Sequence, residues 1–305
     1  MISLLKIINS AGLIQPGINL ISDLLCGGFR GALSNISKDL SLKKSSTGIG
    51  QKICIAGLPK SGTTLIEEIL RFNNYLDLNH TSIRRSPRFG ISEPENELPW
   101  SLFKYCRNSD YVFVKTHIRA SCRNLDIISS GKVELIVMIR DLRDMMISRY
   151  FHIVNSPRHR QHHSLVGLTQ EEGLFRSMTD SLDGIVPLEY FAGWIEGWLD
   201  SAPDRIIRHE QFLADVENYI RVITTRLAVK KSISENVQHI QEHNNNLKSR
   251  TLRQNLGLWG RQRSTFRNTG PRGWKNILSP SLKKVFKQKA QSCLTRSGYE
   301  TDANW

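Results

Sequence analysis

Ile53-Cys54-Ile55-Ala56-Gly57-Leu58-Pro59-Lys60-Ser61-Gly62-Thr63-Thr64 is the stretch on which the reading of this chain turns. The apolar run from Ile53 to Ala56 predicts a short buried strand. Gly57, Pro59 and Gly62 then predict a tight loop, and Thr64 to Arg71 carries a helical pattern. Strand, glycine loop and helix in that order form a βα unit. The start of such a helix offers unpaired backbone N–H groups and a positive dipole end to an anion.

Gly57 and Gly62 stand in the Gly-x4-Gly frame of a P-loop, with one departure. The residue after the second glycine is Thr63, where a nucleoside triphosphatase has lysine. The lysine lies at position 60, inside the bend. A lysine after the loop reaches β- and γ-phosphates beside a magnesium ion. Lys60 instead suits the bridging oxygen of a shorter anhydride, with the N–H groups of residues 61–64 on a 5′-phosphate.

Working outward, Tyr111 to Val114 predicts a second strand ending in Lys115-Thr116-His117, and Val133 to Ile139 a third ending at Arg140. After Arg140, the spacing of Asp141 and Asp144 predicts a capping box, with Met145 to Phe151 as the helix body. A helix carrying Trp194, Trp198 and Leu199 precedes a fourth strand, Arg205 to Arg208. Strands alternating with helices imply an α/β fold: a single P-loop-like domain whose central parallel sheet is flanked by helices on both faces. Residues 36–50 are polar and rich in Gly and Ser, so residues 1–49 read as an N-terminal helical and linker segment and 50–305 as the domain. The stretches 80–100 and 155–170 read as long polar loops.

The 305 residues carry a net charge of +14, and its location matters more than its size. Between His243 and Tyr299 there is no Asp or Glu, while 13 Lys and Arg fall there. Such a field attracts phosphates, nucleic acid, acidic glycans or anionic lipid. The five cysteines include no CxxC pair, which argues against a zinc ribbon or a disulfide framework and for reduced thiols. Residues 1–25 are apolar but interrupted by Gly12, Pro16, Gly17 and Asp23. They read as a packed or membrane-touching amphipathic segment rather than a spanning helix or a secretory signal. The expected location is cytoplasmic, with peripheral membrane contact through that segment as an option. His159, His162 and His163, interleaved with Arg158 and Arg160, read as an exposed basic loop near the acceptor, with no metal pattern.

Pro59-Lys60-Ser61-Gly62-Thr63-Thr64 resembles the 5′-phosphosulfate loop of sulfotransferases that use 3′-phosphoadenosine 5′-phosphosulfate (PAPS). The likeness runs in order along residues 50–300. Arg140 and Ser148 match the family's 3′-phosphate pair. Lys115-Thr116-His117 matches the Lys-Thr-His of the cytosolic type, whose histidine is the catalytic base. Arg267-Asn268-Thr269-Gly270-Pro271-Arg272-Gly273-Trp274 resembles the family's C-terminal loop, and Ile207-Arg208-His209-Glu210-Gln211-Phe212 its Tyr-Glu-Asp-Leu segment, with His209 in the Tyr place. Gly298-Tyr299-Glu300 resembles the ending of bacterial members.

The resemblance implies sulfuryl transfer from PAPS to a hydroxyl or amine, with 3′-phosphoadenosine 5′-phosphate (PAP) as product. His117, Lys60 and Lys115 are the implied catalytic set. Lys60, Ser61, Gly62, Thr63, Thr64, Arg140, Ser148, Arg267, Arg272 and Gly273 are the implied cofactor-binding set, with no metal. The implied partner is a small-molecule, sugar or lipid acceptor; the resemblance leaves oligomeric state open. Leu65 departs from the pattern, since cytosolic animal members carry a stacking Trp there.

Two other classes stay open at this point. One is a P-loop kinase using ATP and magnesium, against which Thr63 argues. The other is a nucleic-acid-binding module using the basic 243–299 stretch, which lacks any accompanying aromatic-rich motif.

Overall fold

A computed structural model describes residues 50–78, 97–98, 102–103, 106, 110–181, 185–255 and 272–305. The N-terminal segment 1–49, most of the 80–100 loop and Arg267 lie outside the described residues. The strands are β1 (Gln51–Gly57), β2 (Leu76–Asp77), β3 (Tyr111–Thr116), β4 (Glu134–Ile139) and β5 (Ile206–Arg208). They form one five-stranded sheet in the order β2-β3-β1-β4-β5. The β2–β3 and β4–β5 pairs are parallel, with Leu76 opposite Val112 and Met138 opposite Ile207. Ile53, Cys54, Ile55 and Ala56 are all fully buried, as are Ile136 to Ile139. Successive strand residues face opposite ways, so such runs mean that both faces of the sheet are covered.

The helices, in chain order, are α1 (Thr63–Phe72), α2 (Cys122–Ser130), α3 (Leu142–Val154), α4 (His162–Leu165), α5 (Gln170–Thr179), α6 (Leu188–Ser201), α7 (His209–Ala214), α8 (Val216–Thr224), α9 (Ile233–Asn255) and α10 (Pro280–Arg296). The chain divides into two compact units. One comprises the described part of Met1–Ile55 with Asn74–Leu135, the other Ala56–Asn73 with Ile136–Trp305.

In the first unit, Ser121 caps α2 by accepting the N–H of Asn124 at 3.2 Å. The fully buried Asn124 side chain donates to the Arg119 carbonyl and accepts the Leu98 N–H at 2.8 Å. In the second unit a buried asparagine pair ends α1. Asn73 Nδ2 donates to Asn236 Oδ1 at 2.7 Å, and Asn73 Oδ1 accepts the N–H groups of Lys230 and Lys231. Each of these buried amides is satisfied, so they fix α1 to the start of α9 without an orphaned polar group.

Among the described residues no helix is long and apolar enough to cross a membrane. The described cysteines, Cys54, Cys106, Cys122 and Cys293, are free thiols.

Two local expectations need correction. Asp141 does cap α3, accepting the Arg143 N–H at 3.0 Å, but Asp144 does not close a capping box. Its carboxylate turns away to distant backbone groups, described below. The 155–170 stretch is not a plain exposed loop either. It contains α4, buries Gln161 and Leu165, and holds His162 by a 3.1 Å contact between Nδ1 and the Ile153 carbonyl.

Candidate active site

The loop between β1 and α1 is closed by one carbonyl. Leu58 accepts the Ser61 N–H at 3.1 Å and the Ser61 hydroxyl at 2.6 Å. Both donors of the fully buried Ser61 therefore shape the bend, and its N–H is engaged there rather than offered to an anion. Lys60 adopts a left-handed backbone, φ 72, as does Gly62, φ 92. At Gly62 a Cβ would lie 2.3 Å from Nδ1 of His209, and at Gly57 a Cβ would lie 2.4 Å from the Thr63 methyl. The two glycines are thus required by close approach, Gly62 also by its φ.

Gly62 is the N-cap of α1 and supplies no side-chain cap. The first-turn N–H groups of Thr63 and Thr64 have no acceptor within the helix, so the start of α1 is an uncapped positive end. Thr63 is buried and Thr64 exposed. Glycine cradle and uncapped helix together fit a phosphate group.

Lys60 stands in the bend of this loop, and burial followed by the nearby Arg140 charge lowers its pKa. Arg140, at the carboxyl end of β4, donates from Nη1 to the Lys60 carbonyl at 3.1 Å. His209, which follows β5, stacks on Phe212. Burial and then Arg140 push its pKa down to about 3, and its Nδ1 is buried without a partner. The ring is therefore neutral, a rigid wall behind Gly62. In the sequence His209 is visible as the residue in the Tyr place of a motif. Its packing against Gly62 had no sequence signal beyond its position at a strand end.

Helix α3 presents Asp144, Ser148 and His152 at intervals of four, hence along one face. Asp144 is buried, and its two oxygens accept the N–H groups of Arg272 at 2.9 Å and Trp274 at 2.8 Å. Burial and then the Asp141 charge raise its carboxyl to about 6, against the lowering effect of Arg140 and these N–H bonds. The Gly273–Asn276 turn is thereby held on α3, with the Arg272 side chain exposed and Gly273 half-buried.

The buried Arg143 guanidinium lies 3.8 Å from the Trp274 ring centroid and 4.4 Å from that of Trp305. It bonds both oxygens of Asp141 and also Glu300 at 2.5 Å. Tyr299 donates to Glu210 at 2.7 Å, and Glu210 accepts the Asp141 N–H at 3.0 Å. This network explains why Gly298-Tyr299-Glu300 belongs with the motifs, and the 144/148/152 spacing was the signal that could have revealed the α3 face. Ser148 is half-buried on that face. His152, the last of the three, is pushed down to about 4 by burial and then by Lys60.

In the other unit, Lys115 and His117 lie at the end of β3. They are two residues apart and share one face, both half-buried. Between them the buried Thr116 hydroxyl donates to the Ile55 carbonyl at 3.3 Å, fixing the strand end on β1.

A parallel sheet with a glycine loop and an uncapped helix after its central strand defines a P-loop-like α/β protein. A family model described as "Sulfotransferase domain" matches residues 50–298, and the chain belongs to that family. Among solved structures it is similar to a retinol dehydratase in complex with androsterone and inactive cofactor PAP, at 16% identity and TM-score 0.54, covering 87% of this chain and 85% of that one. It is also similar to the mouse sulfotransferase SULT7A1 complexed with PAP, at 18% identity and TM-score 0.54, covering 89% and 94%. None of the curated protein sequences compared matches the chain.

Proposed function

We propose that this protein transfers a sulfuryl group from PAPS to a hydroxyl or amine of a small-molecule, sugar or lipid acceptor. The observation that carries the reading is the uncapped start of α1 behind a loop whose only lysine, Lys60, sits in the bend, with Thr63 where a triphosphatase lysine would stand. PAP in the related structures supports the same cofactor. PAPS supplies an activated sulfuryl group on a mixed anhydride.

The chain's residues do the rest. Thr63 and Thr64 N–H groups hold the 5′-phosphate, and Lys60 neutralises charge on the oxygen that bridges phosphorus and sulfur as its bond to sulfur breaks. Lys115 adds positive charge to the same oxygens. His117 receives the proton released as the acceptor oxygen or nitrogen bonds sulfur. Arg140 and Ser148 take the 3′-phosphate, Arg140 exchanging its bond to the Lys60 carbonyl for charge-assisted ones. Arg267 and the Arg272–Gly273 turn serve the same phosphate, the turn held by Asp144.

Incubation with labelled PAPS and a panel of phenols, steroids, sugars and lipids tests this reading. Calorimetry with PAP and ATP complements it. The expected results are label transfer and tighter binding of PAP. Equal or tighter ATP binding with magnesium-dependent phosphoryl transfer would replace the reading with a kinase.

A further inference from the structure

Beyond Lys60, the second unit gathers a buried arginine and two imidazoles for which the transfer step has no use. Arg149 is almost wholly buried; its Nη2 donates to Gln161 Oε1 at 2.7 Å, while Nη1 is buried without an acceptor. His152 follows three residues later on α3, with Nδ1 buried and unpartnered. Its ring meets His159 edge-on at a centroid distance of 5.7 Å. His159 Nδ1 accepts the N–H of Gln161 at 3.2 Å.

These contacts set the tautomers. An Nδ1 that accepts a hydrogen bond places the proton of neutral His159 on Nε2. A buried N–H without an acceptor costs more than a bare ring nitrogen, so neutral His152 also carries its proton on Nε2. Both rings are half-buried, so each is a donor at its other edge with the Arg149 charge nearby.

Among the described residues, the charged groups that act on Arg149, His152 and His159 are cations or imidazoles: Lys60, Arg149, Arg160 and neighbouring histidines. Their pKa values are accordingly depressed, Arg149 to about 10 and His152 to about 4, with burial the first cause in each. Lys60 acts on His152, whereas Arg149 and His159 feel Arg160 in the following turn. The cluster is therefore within electrostatic reach of the reacting lysine through His152.

We propose that Arg149, His152 and His159 form a subsite for a negatively charged group on the acceptor, so that the substrate is a hydroxylated or aminated molecule already bearing a carboxylate, phosphate ester or sulfate ester. This rests on the sulfuryl-transfer reading above. A fixed anion would offset the gathered positive charge and accept from the two Nε2–H donors. A neutral acceptor of the same shape would leave those groups as they are.

The test uses the full chain saturated with PAP and calorimetric titration of matched probes. These are 4-hydroxybenzoate against 4-hydroxybenzamide, and 4-hydroxybenzyl phosphate and sulfate against 4-hydroxybenzyl alcohol. At least one anion should bind roughly 10-fold or more tightly than its neutral partner. The double variant His152→Gln with His159→Gln should abolish that preference while PAP affinity stays unchanged, which also certifies folding. Arg149→Lys, which keeps the charge, should retain the preference.

Equal binding of every neutral partner overturns the proposal. So does a preference that survives the double variant, or PAP affinity that falls in parallel with it, which would assign the histidines to the cofactor. Failure of the wild-type chain to bind PAP is a different result, since it removes the sulfuryl-transfer reading itself and the subsite with it.

Discussion

Gly62→Ala puts the phosphate loop under two separate loads. The first is conformational: the backbone at 62 has φ 92, and an L-residue held in the left-handed region costs about 1–2 kcal/mol. The second is steric. The new methyl would fall 2.3 Å from Nδ1 and 3.0 Å from Cε1 of His209, a half-buried ring stacked on Phe212. Overpacking of that kind costs about 1–3 kcal/mol. The sum is roughly 2–5 kcal/mol, or a fall in Tm of about 5–15 °C for a domain of this size. PAP affinity should fall by more than ~10-fold, because the N–H groups at the start of α1 shift with the loop. Scanning calorimetry and PAP titration of Gly62→Ala, His209→Ala and the double variant separate the loads. His209→Ala removes the steric one only, so the double variant should be ~1–3 kcal/mol more stable than additivity predicts. A Gly62→Ala protein with wild-type Tm and PAP affinity, or a strictly additive double variant, would refute the account of the loop.

His117→Ala should lower kcat by ~10²–10⁴-fold with PAP affinity unchanged, as steady-state kinetics and calorimetry would show; near-normal turnover would take the proton-accepting role away from His117. Arg140→Ala should weaken PAP by roughly 10–100-fold and leave 5′-AMP nearly untouched, since only PAP carries the 3′-phosphate; equal losses would make Arg140 a purely structural residue. Transfer should proceed at an undiminished rate in EDTA, because Lys60 and the α1 N-terminus supply the charge that magnesium supplies in kinases. His209 has a folded pKa near 3 against an ordinary 6.5, so its stabilising contribution is complete above about pH 6.5 and is lost as pH falls toward 3. Chemical denaturation at pH 7 and pH 5 should show a loss on acidification that is ~2 kcal/mol smaller in His209→Gln than in the wild type; an identical pH slope in the variant would contradict the burial argument.

The β1–loop–α1 unit was legible because its signals are local. An apolar run, three breakers and a helical pattern all lie within twenty residues. The same locality explains the misses. Asp141 and Asp144 have capping-box spacing, and Asp141 does cap. What draws Asp144 away is the pair of N–H groups 128 and 130 residues downstream, which no local pattern encodes. Ser61 was recognisable as a loop residue, but its use of Leu58 as acceptor depends on the bend adopted at Lys60. The His159 region reads as exposed from its charges, yet Leu165 and Gln161 bury part of it, one through apolar contact and the other through Arg149. Lys115 and His117 were legible as a strand end, because alternation places them on one face whatever the surroundings.

The guanidinium of Arg143 between the indoles of Trp274 and Trp305 has a use outside catalysis. An arginine stays charged at every pH in which the fold survives, so the cation against these two rings does not titrate away. The emission of Trp274 and Trp305 therefore reports whether the Gly273–Asn276 turn is seated on α3, and a Trp274→Phe subtraction isolates that signal from the buried Trp194 and Trp198. Local release of the turn could then be followed optically in native buffer, at free energies below global unfolding, and its timing compared directly with nucleotide arrival and departure.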